Sequence, residues 1–281
     1  MKSPIVLVTG GSGFIASSVA TALSGTHQLV RMSRSECPGP GAFVRGSFAS
    51  AADVAKLAGD PIDVVVHLAA SDGSLPDHEV LEVNLLGTHT LLKHMLELGC
   101  RKFVMASSIA AVGCLNPSFR PAQIPIPDDH PCFATDAYGL SKAMGEELSR
   151  YFHRTFTDAD FISLRIGVVH RIPLKPSDFA RPSTIPFCEL AGVMLADVVD
   201  AICCCVDAPP KPGVRVMNLV GPSITSIAPT RKALDQAGVK PGSVRLGPEV
   251  LSDGSRHALY AMNMIASEVG FVPRRETQDI V

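Results

Sequence analysis

The stretch "IVLVTGGSGFIA", residues 5–16, does most to constrain the fold. Its aliphatic, β-branched run reads as a buried strand, and it breaks at glycines before an apolar-periodic segment that continues to Leu23. Gly10, Gly13 and Ala16 fall at GxxGxxA spacing across the break. The first glycine permits a tight turn, and the second lets the backbone approach a bound group. The third position needs only a small side chain where helix packs on strand. The N-terminus of such a helix presents free N–H groups and a partial positive charge, which suits a diphosphate.

The next 150 residues repeat the alternation. "QLVRMS", "DVVVHLAA", "KFVMASS" and "ADFISLRIGVV" read as strands, and "VLEVNLLGTHTLLKHMLEL" reads as a long helix. Unbroken apolar strands between helices imply a parallel sheet covered on both faces. The expected fold is therefore α/β, a Rossmann-type doubly wound parallel sheet, with a dinucleotide-binding domain over residues 1–170. After Val169 the texture changes. "HRIPLKPSDFARPSTIPF" reads as a loop, "LADVVDAICCCVDAP" as a helix, "VRVMNLVG" as a strand and "APTRKALDQAG" as a helix. Residues 171–281 are expected to form mainly a small C-terminal substrate-binding lobe, including elements that return to the core.

Dinucleotide folds usually place an acid about twenty residues beyond the loop, where it grips a ribose 2′-hydroxyl. Here the second strand ends in "VRMSRSE", with Ser33 where the acid would stand, Arg34 after it and Arg31 nearby. A hydroxyl and a guanidinium suit a 2′-phosphate that a carboxylate would repel. This favours NADP. NAD is the alternative, with Arg34 solvated and Glu36 on the ribose.

The formal net charge is −2, so nucleic acid and anionic membranes are not expected partners. No apolar run approaches the length of a membrane span, and "MKSPIVLVTGG" reads as a first strand rather than a signal peptide. Eight cysteines without a secretory signal point to reduced thiols in the cytoplasm. The run Cys203–Cys205 reads as small apolar filling. No Cys or His spacing completes a metal pattern, so no metal is expected.

"DAYGLSKAMGEEL" places Tyr138 one helical turn before Lys142. Residues four apart share a helix face, and a fixed positive charge beside a phenol favours the phenolate. That pairing would let a tyrosine exchange protons near neutral pH.

The motifs "TGGSGFIA", "DVVVHLAA", "VNLLGT", "FVMASSIAAVG", "YGLSK" and "LRIG" occur in one order. In this order the chain resembles the extended short-chain dehydrogenase/reductase superfamily, the group that includes NAD-dependent epimerases and dehydratases. The resemblance is strong over residues 4–170 and weaker in "LADVVDAI", "MNLVG" and "ASEVGFVPR". It implies Tyr138 as acid/base and Lys142 as the residue that holds the nicotinamide ribose and lowers the tyrosine pKa. Ser108, five before Gly113, matches the serine that orients the substrate oxygen; Ser107 is its neighbour. Asn84 matches the asparagine of the "VN" helix, serving either a proton relay or helix geometry. The cofactor contacts expected are Gly10, Ser12, Gly13, Phe14, Ile15, Ser33, Arg34, Leu68, Ala69 and Ala70, with Tyr138 and Lys142. Two departures stand out: Ser33 replaces an acid, and Ser47 replaces an aspartate that commonly contacts adenine. Homodimers through the helices bearing Tyr138 and "VNLLGT" are common in the superfamily, and a homodimer is expected here.

Dehydratases of this superfamily carry acids just after the catalytic hydroxyl, where this chain has Ile109 and Ala110, so dehydration is not expected. Ser33 and Arg34 favour a cofactor exchanged each cycle. The leading expectation is an NAD(P)-dependent oxidoreductase acting on a hydroxyl or keto carbon of a sugar, sugar nucleotide or similar small carbonyl compound. A nucleotide-sugar epimerase with tightly bound NAD is the alternative, and a non-catalytic cofactor sensor a second. Arg171, Lys175, Arg181, Arg231, Arg245 and Arg256 are the cations available to a substrate diphosphate.

Overall fold

The computed structural model describes residues 3–59, 61–179, 183–240, 242–251 and 254–278. From the N-terminus come β1 (Ile5–Thr9), α1 (Phe14–Leu23), β2 (Gln28–Ser33), β3 (Ala42–Arg45), a short α2 (Ala51–Val54) and β4 (Val64–His67). A long helical stretch follows, in which α3 (Asp77–Leu81) and α4 (Gly87–Glu97) are joined by a π-helical turn at Glu82–Leu86. Next are β5 (Lys102–Ser108), β6 (Gln123–Ile124), α5 (Ala137–His153), β7 (Asp160–Ile166) and β8 (Val168–His170). Then come α6 (Pro186–Glu189), β9 (Gly192–Met194), α7 (Leu195–Asp207) and β10 (Gly213–Leu219). The chain closes with α8 (Thr230–Gln236), β11 (Arg245–Leu246), α9 (Pro248–Leu251) and α10 (Asn263–Val269).

Seven strands form one sheet in the order β10-β7-β5-β4-β1-β2-β3. β1 pairs in parallel with both β2 and β4, with Thr9 opposite Met32 on one side and His67 on the other. The chain therefore winds outward to β3 and then crosses back to lay β4 against β1. In open α/β sheets a ligand crevice forms beyond the carboxyl ends of strands at such a reversal. This is the doubly wound sheet that the strand pattern predicts. β3 was not foreseen as a strand, because "AFVR" is short and its two ends are exposed. The stretch read as a loop after Val169 begins with the last residue of β8, contains a 3₁₀ turn at Pro176–Phe179 and runs into the start of α6. Arg181, one of the candidate cations, lies outside the described residues.

The chain divides into two compact units, both discontinuous in sequence. The first comprises residues 1–107, 136–164 and 202–216, and the second residues 108–135, 165–201 and 217–281. Each has its own apolar core. In the first, Leu7, Val65, Leu91, Met95, Phe103 and Phe161 are fully buried, and the Phe103 and Phe161 rings stack at 4.9 Å. A buried ion pair between Asp160 and Arg215 lies in the same unit. Lys102, also buried there, donates to the carbonyls of Val206, in the last turn of α7, and Ala208, just beyond it. In the second unit Ile126, Phe187, Ile224, Leu259 and Tyr260 form the core. The Tyr260 hydroxyl donates to the Phe187 carbonyl at 2.8 Å, and Asn218 bridges the carbonyls of Ile126 and Ala261. Among the described residues no helix is long and apolar enough to cross a membrane.

Candidate active site

A cleft of about 470 Å³ opens in the first unit beyond the ends of β1, β2 and β4. Its floor is the glycine turn. Gly10 has φ +73°, a left-handed conformation that favours glycine. A Cβ there would come within 3.0 Å of both the Ala69 Cα and its amide nitrogen. The turn is held by Gly13 N–H donating to the Gly10 carbonyl at 2.7 Å and Gly11 N–H to the Met32 carbonyl at 3.2 Å. Gly10, Ser12, Gly13, Ser33, Arg34, Leu68, Ala69 and Ala70 all line the cleft. Phe14 and Ile15 begin α1 and stand outside its lining, with Phe14 38% exposed.

At the far end of β2, the Ser33 hydroxyl donates to Ser12 at 2.9 Å and ties the strand end to the glycine turn. Arg34 is exposed at the cleft, and its guanidinium makes no hydrogen bond or ion pair among the described residues. Glu36 does not line the cleft. Arg31 does not join them. It is buried, and its guanidinium donates to the carbonyls of Cys37, Gly39 and Pro40 at 2.7–2.9 Å, bracing the β2–β3 loop. A guanidinium spent on three carbonyls has no donor fork left for a phosphate. Ser47 lines the cleft, and its amide donates to Asp53 at 3.0 Å.

Thr9 and His67 were not foreseen as site residues. Thr9 Oγ1 accepts from the Leu68 and Ala69 amides at 3.2 Å each, so its own proton goes to His67 Nδ1 at 2.7 Å. His67 Nε2 then carries the ring proton and donates to Thr88 at 3.0 Å. Burial, reinforced by the nearby Lys142 charge, lowers the His67 pKa to about 3, which keeps the ring neutral. This buried clasp holds the Leu68–Ala70 wall of the cleft.

The helix that carries Tyr138 is equally well anchored. Asp136 caps α5 by accepting from Gly139 N–H at 2.7 Å. Asn84, in the π-helical turn, accepts from the Ser71 amide at 2.7 Å and donates to the Ser71 carbonyl at 2.9 Å. Its second amide proton goes to Ser141 at 3.0 Å, and Ser141 donates to the Tyr138 carbonyl at 2.7 Å. Both Asn84 donors are thus committed to backbone and helix. Tyr138 packs at the loop beyond β4, where a Cβ on Gly73 would lie 3.2 Å from its own Cβ.

Lys142 Nζ lies 5.5 Å from the Tyr138 ring centroid and donates to the Ala106 carbonyl at 2.8 Å. Burial lowers its pKa to about 8. Of the two serines that end β5, Ser107 is buried and donates to Glu146 at 2.6 Å. Ser108 is half-buried and begins the second unit, where its hydroxyl accepts from the Ala110 amide at 3.1 Å. Among the candidate cations, Arg231 pairs with Asp235, Arg256 with Glu276, and Arg245 bonds Gln123. Among the described residues no cluster of three His, Cys, Asp or Glu side chains could hold a metal ion.

The model of the NAD dependent epimerase/dehydratase family matches residues 6–170. A UDP-glucose 4-epimerase of Halalkalibacterium halodurans is 30% identical over 170 residues, which cover 54% of this chain and 47% of that protein. An NAD-dependent glucose-6-phosphate dehydrogenase of Haloferax volcanii is 34% identical over 118 residues, 38% of this chain and 44% of that protein. The chain spans about half the length of the curated relatives it matches. Among solved structures, the UDP-glucose 4-epimerase from Bifidobacterium longum in complex with NAD+ and UDP superposes with a TM-score of 0.73. That match has 20% identity and covers 98% of this chain and 95% of that one, a likeness of fold. The family match takes in the glycine turn, the Thr9–His67 clasp, Tyr138 and Lys142, and by it the chain belongs to the NAD-dependent epimerase/dehydratase family.

Proposed function

We propose that the protein is an NAD(P)-dependent oxidoreductase that transfers a hydride between a nicotinamide cofactor and a hydroxyl or keto carbon. The substrate is a sugar, a sugar nucleotide or a similar small carbonyl compound. One observation carries the reading: the Lys142 ammonium, fixed to the Ala106 carbonyl, stands 5.5 Å from the Tyr138 ring, beside a cleft built on a glycine turn. The Gly10 backbone, so close to Ala69 that a methyl group would crowd it, and the first turn of α1 suit a diphosphate. When bound, the nicotinamide gives or accepts the hydride.

The chain's own residues move the proton. Tyr138 gives a proton to the developing substrate alkoxide in reduction, and takes it back in oxidation. Lys142 supplies the positive charge that favours the phenolate. Ser107 spends its hydroxyl on Glu146, which leaves Ser108 as the serine for the substrate oxygen. Asn84 acts as a positioning residue, because its donors hold Ser71 and, through Ser141, the first turn of α5. The second unit serves as the substrate-binding lobe.

Because Lys142 must be charged to assist Tyr138, and its pKa in the folded protein is lowered to about 8, turnover should decline above about pH 8. A kcat/KM profile measured from pH 6 to 10 checks this. A profile that keeps rising to pH 10 would remove Lys142 from the mechanism.

NADP is the cofactor this reading favours. Ser33, Arg34 and Ser47 surround the end of the cleft where a ribose would sit, and Arg34 has an uncommitted guanidinium there. Arg34→Ala should weaken NADPH about 10–100-fold, the worth of one charge-assisted contact of roughly 1.5–3 kcal/mol, and leave NADH nearly unchanged. Equal losses for both nucleotides, in fluorescence titrations, would assign Arg34 elsewhere.

A homodimer is supported by the outer face of α5. Leu140, Met144 and Tyr151 are exposed there at helical spacing, and Leu86 is 60% exposed on the neighbouring π turn. A second reading, a nucleotide-sugar epimerase that retains NAD, is favoured by the relatives named UDP-glucose 4-epimerase.

A further inference from the structure

Behind Lys142 the first unit holds a small chamber of about 30 Å³ with several polar side chains in its lining, and Ala69 and Ala70 line both it and the cleft. A cavity needs roughly 10–15 Å³ to hold one water, with two to four polar partners. The partners are present. Lys142 has donors beyond the one given to Ala106, and Ser141, Ser107, Thr88 and Glu146 also line the chamber. Two features are unexplained by the reading above. Glu146 is 1% exposed although it is one helical turn beyond Lys142, a spacing that ordinarily makes a surface pair. Ser163, on β7, is also 1% exposed, and its hydroxyl has no hydrogen-bond partner among the described residues. A buried hydroxyl without a partner is destabilising.

We propose that this chamber binds one ordered water that bridges Lys142 to Glu146 and satisfies Ser163, and that Glu146 is a positioning residue acting through Lys142. The water accepts from the Lys142 ammonium and from a hydroxyl, and donates to the Glu146 carboxylate. Its effect is electrostatic: the carboxylate keeps the ammonium protonated against the desolvation that lowers its pKa. The charged and titratable groups that face Lys142 are few. β4 supplies His67, kept neutral chiefly by burial, and α5 supplies Tyr138 and Glu146. Ala106 and Ser107 of β5, Ser163 of β7, Asn84 of the π turn and Thr88 of α4 carry no charge. Glu146 is therefore the anion on which the Lys142 charge depends. The inference rests on the reading that this charge serves Tyr138.

The test reads Lys142 directly. Its side-chain resonances in lysine-labelled protein, assigned by their loss in Lys142→Arg, give a titration midpoint. Glu146→Gln, which keeps the size and the Ser107 contact, should lower that midpoint by about one pH unit. Ser163→Val, which fills the chamber and leaves the carboxylate in place, should move it in the same direction. An unchanged midpoint in Glu146→Gln overturns the positioning role. A shift in Glu146→Gln with none in Ser163→Val overturns the water bridge. A crystal structure of the unmodified protein should show one water within hydrogen-bond distance of Lys142 and Glu146, and a dry chamber overturns the proposal even if Glu146→Gln fails to fold. None of these readouts needs turnover. Failure of the oxidoreductase reading would show separately, as absent hydride transfer with the midpoint shifts intact.

Discussion

Tyr138→Phe should reduce kcat by about 10²–10⁴-fold, the usual contribution of a positioned general acid, while nucleotide affinity changes far less. That loss corresponds to about 3–5 kcal/mol of barrier. The substitution is informative because it removes one oxygen and little else. The ring stays packed at the Gly73 loop, the Asp136 carboxylate caps Gly139, and the Ser141 hydroxyl bonds the Tyr138 carbonyl, so neither bond uses the phenol. Lys142 keeps its bond to Ala106. A variant within a few-fold of the unmodified rate would mean that the proton comes from elsewhere.

The second large effect concerns stability. Asp160 is fully buried at the start of β7, bonded to Arg215 and accepting from the Lys211 amide at 3.1 Å. Asp160→Asn preserves the shape and one acceptor but leaves the Arg215 cation, 7% exposed, without its carboxylate. Breaking one side of a buried pair costs about 3–5 kcal/mol, whereas replacing both partners with apolar residues of similar volume is often neutral. Asp160→Asn should therefore unfold at distinctly lower denaturant concentration, and Asp160→Leu combined with Arg215→Met should recover most of the loss. A double variant as unstable as the single one would show that the pair itself, not the orphaned charge, holds β7 to β10.

Much of this was legible in the sequence because the relevant physics is local. Buried parallel strands read as unbroken apolar runs, so β1, β2, β4, β5 and β7 were visible, and glycine at a left-handed turn marks the head of the cleft. Tyr138 and Lys142 were visible because four residues make a helical turn. What stayed hidden depends on tertiary packing. Arg31 stood near the expected 2′-phosphate site in sequence, but three carbonyls of the β2–β3 loop draw its guanidinium into the protein. Nothing local marks Glu146 as buried; its place against Ser107 at the end of β5 is set by tertiary packing. His67 was only one letter of a strand motif. Its role arises from Thr9, fifty-eight residues away, standing beside it in the β1–β4 register.

The most direct test of the central claim, a hydride-transfer enzyme that exchanges NADP each cycle, is to denature freshly purified protein and identify any nucleotide released, then titrate the empty protein with NADPH and NADH. The account predicts no retained nucleotide and tighter binding of NADPH than of NADH. Stoichiometric NAD carried through purification would contradict it and assign the protein to the epimerase reading.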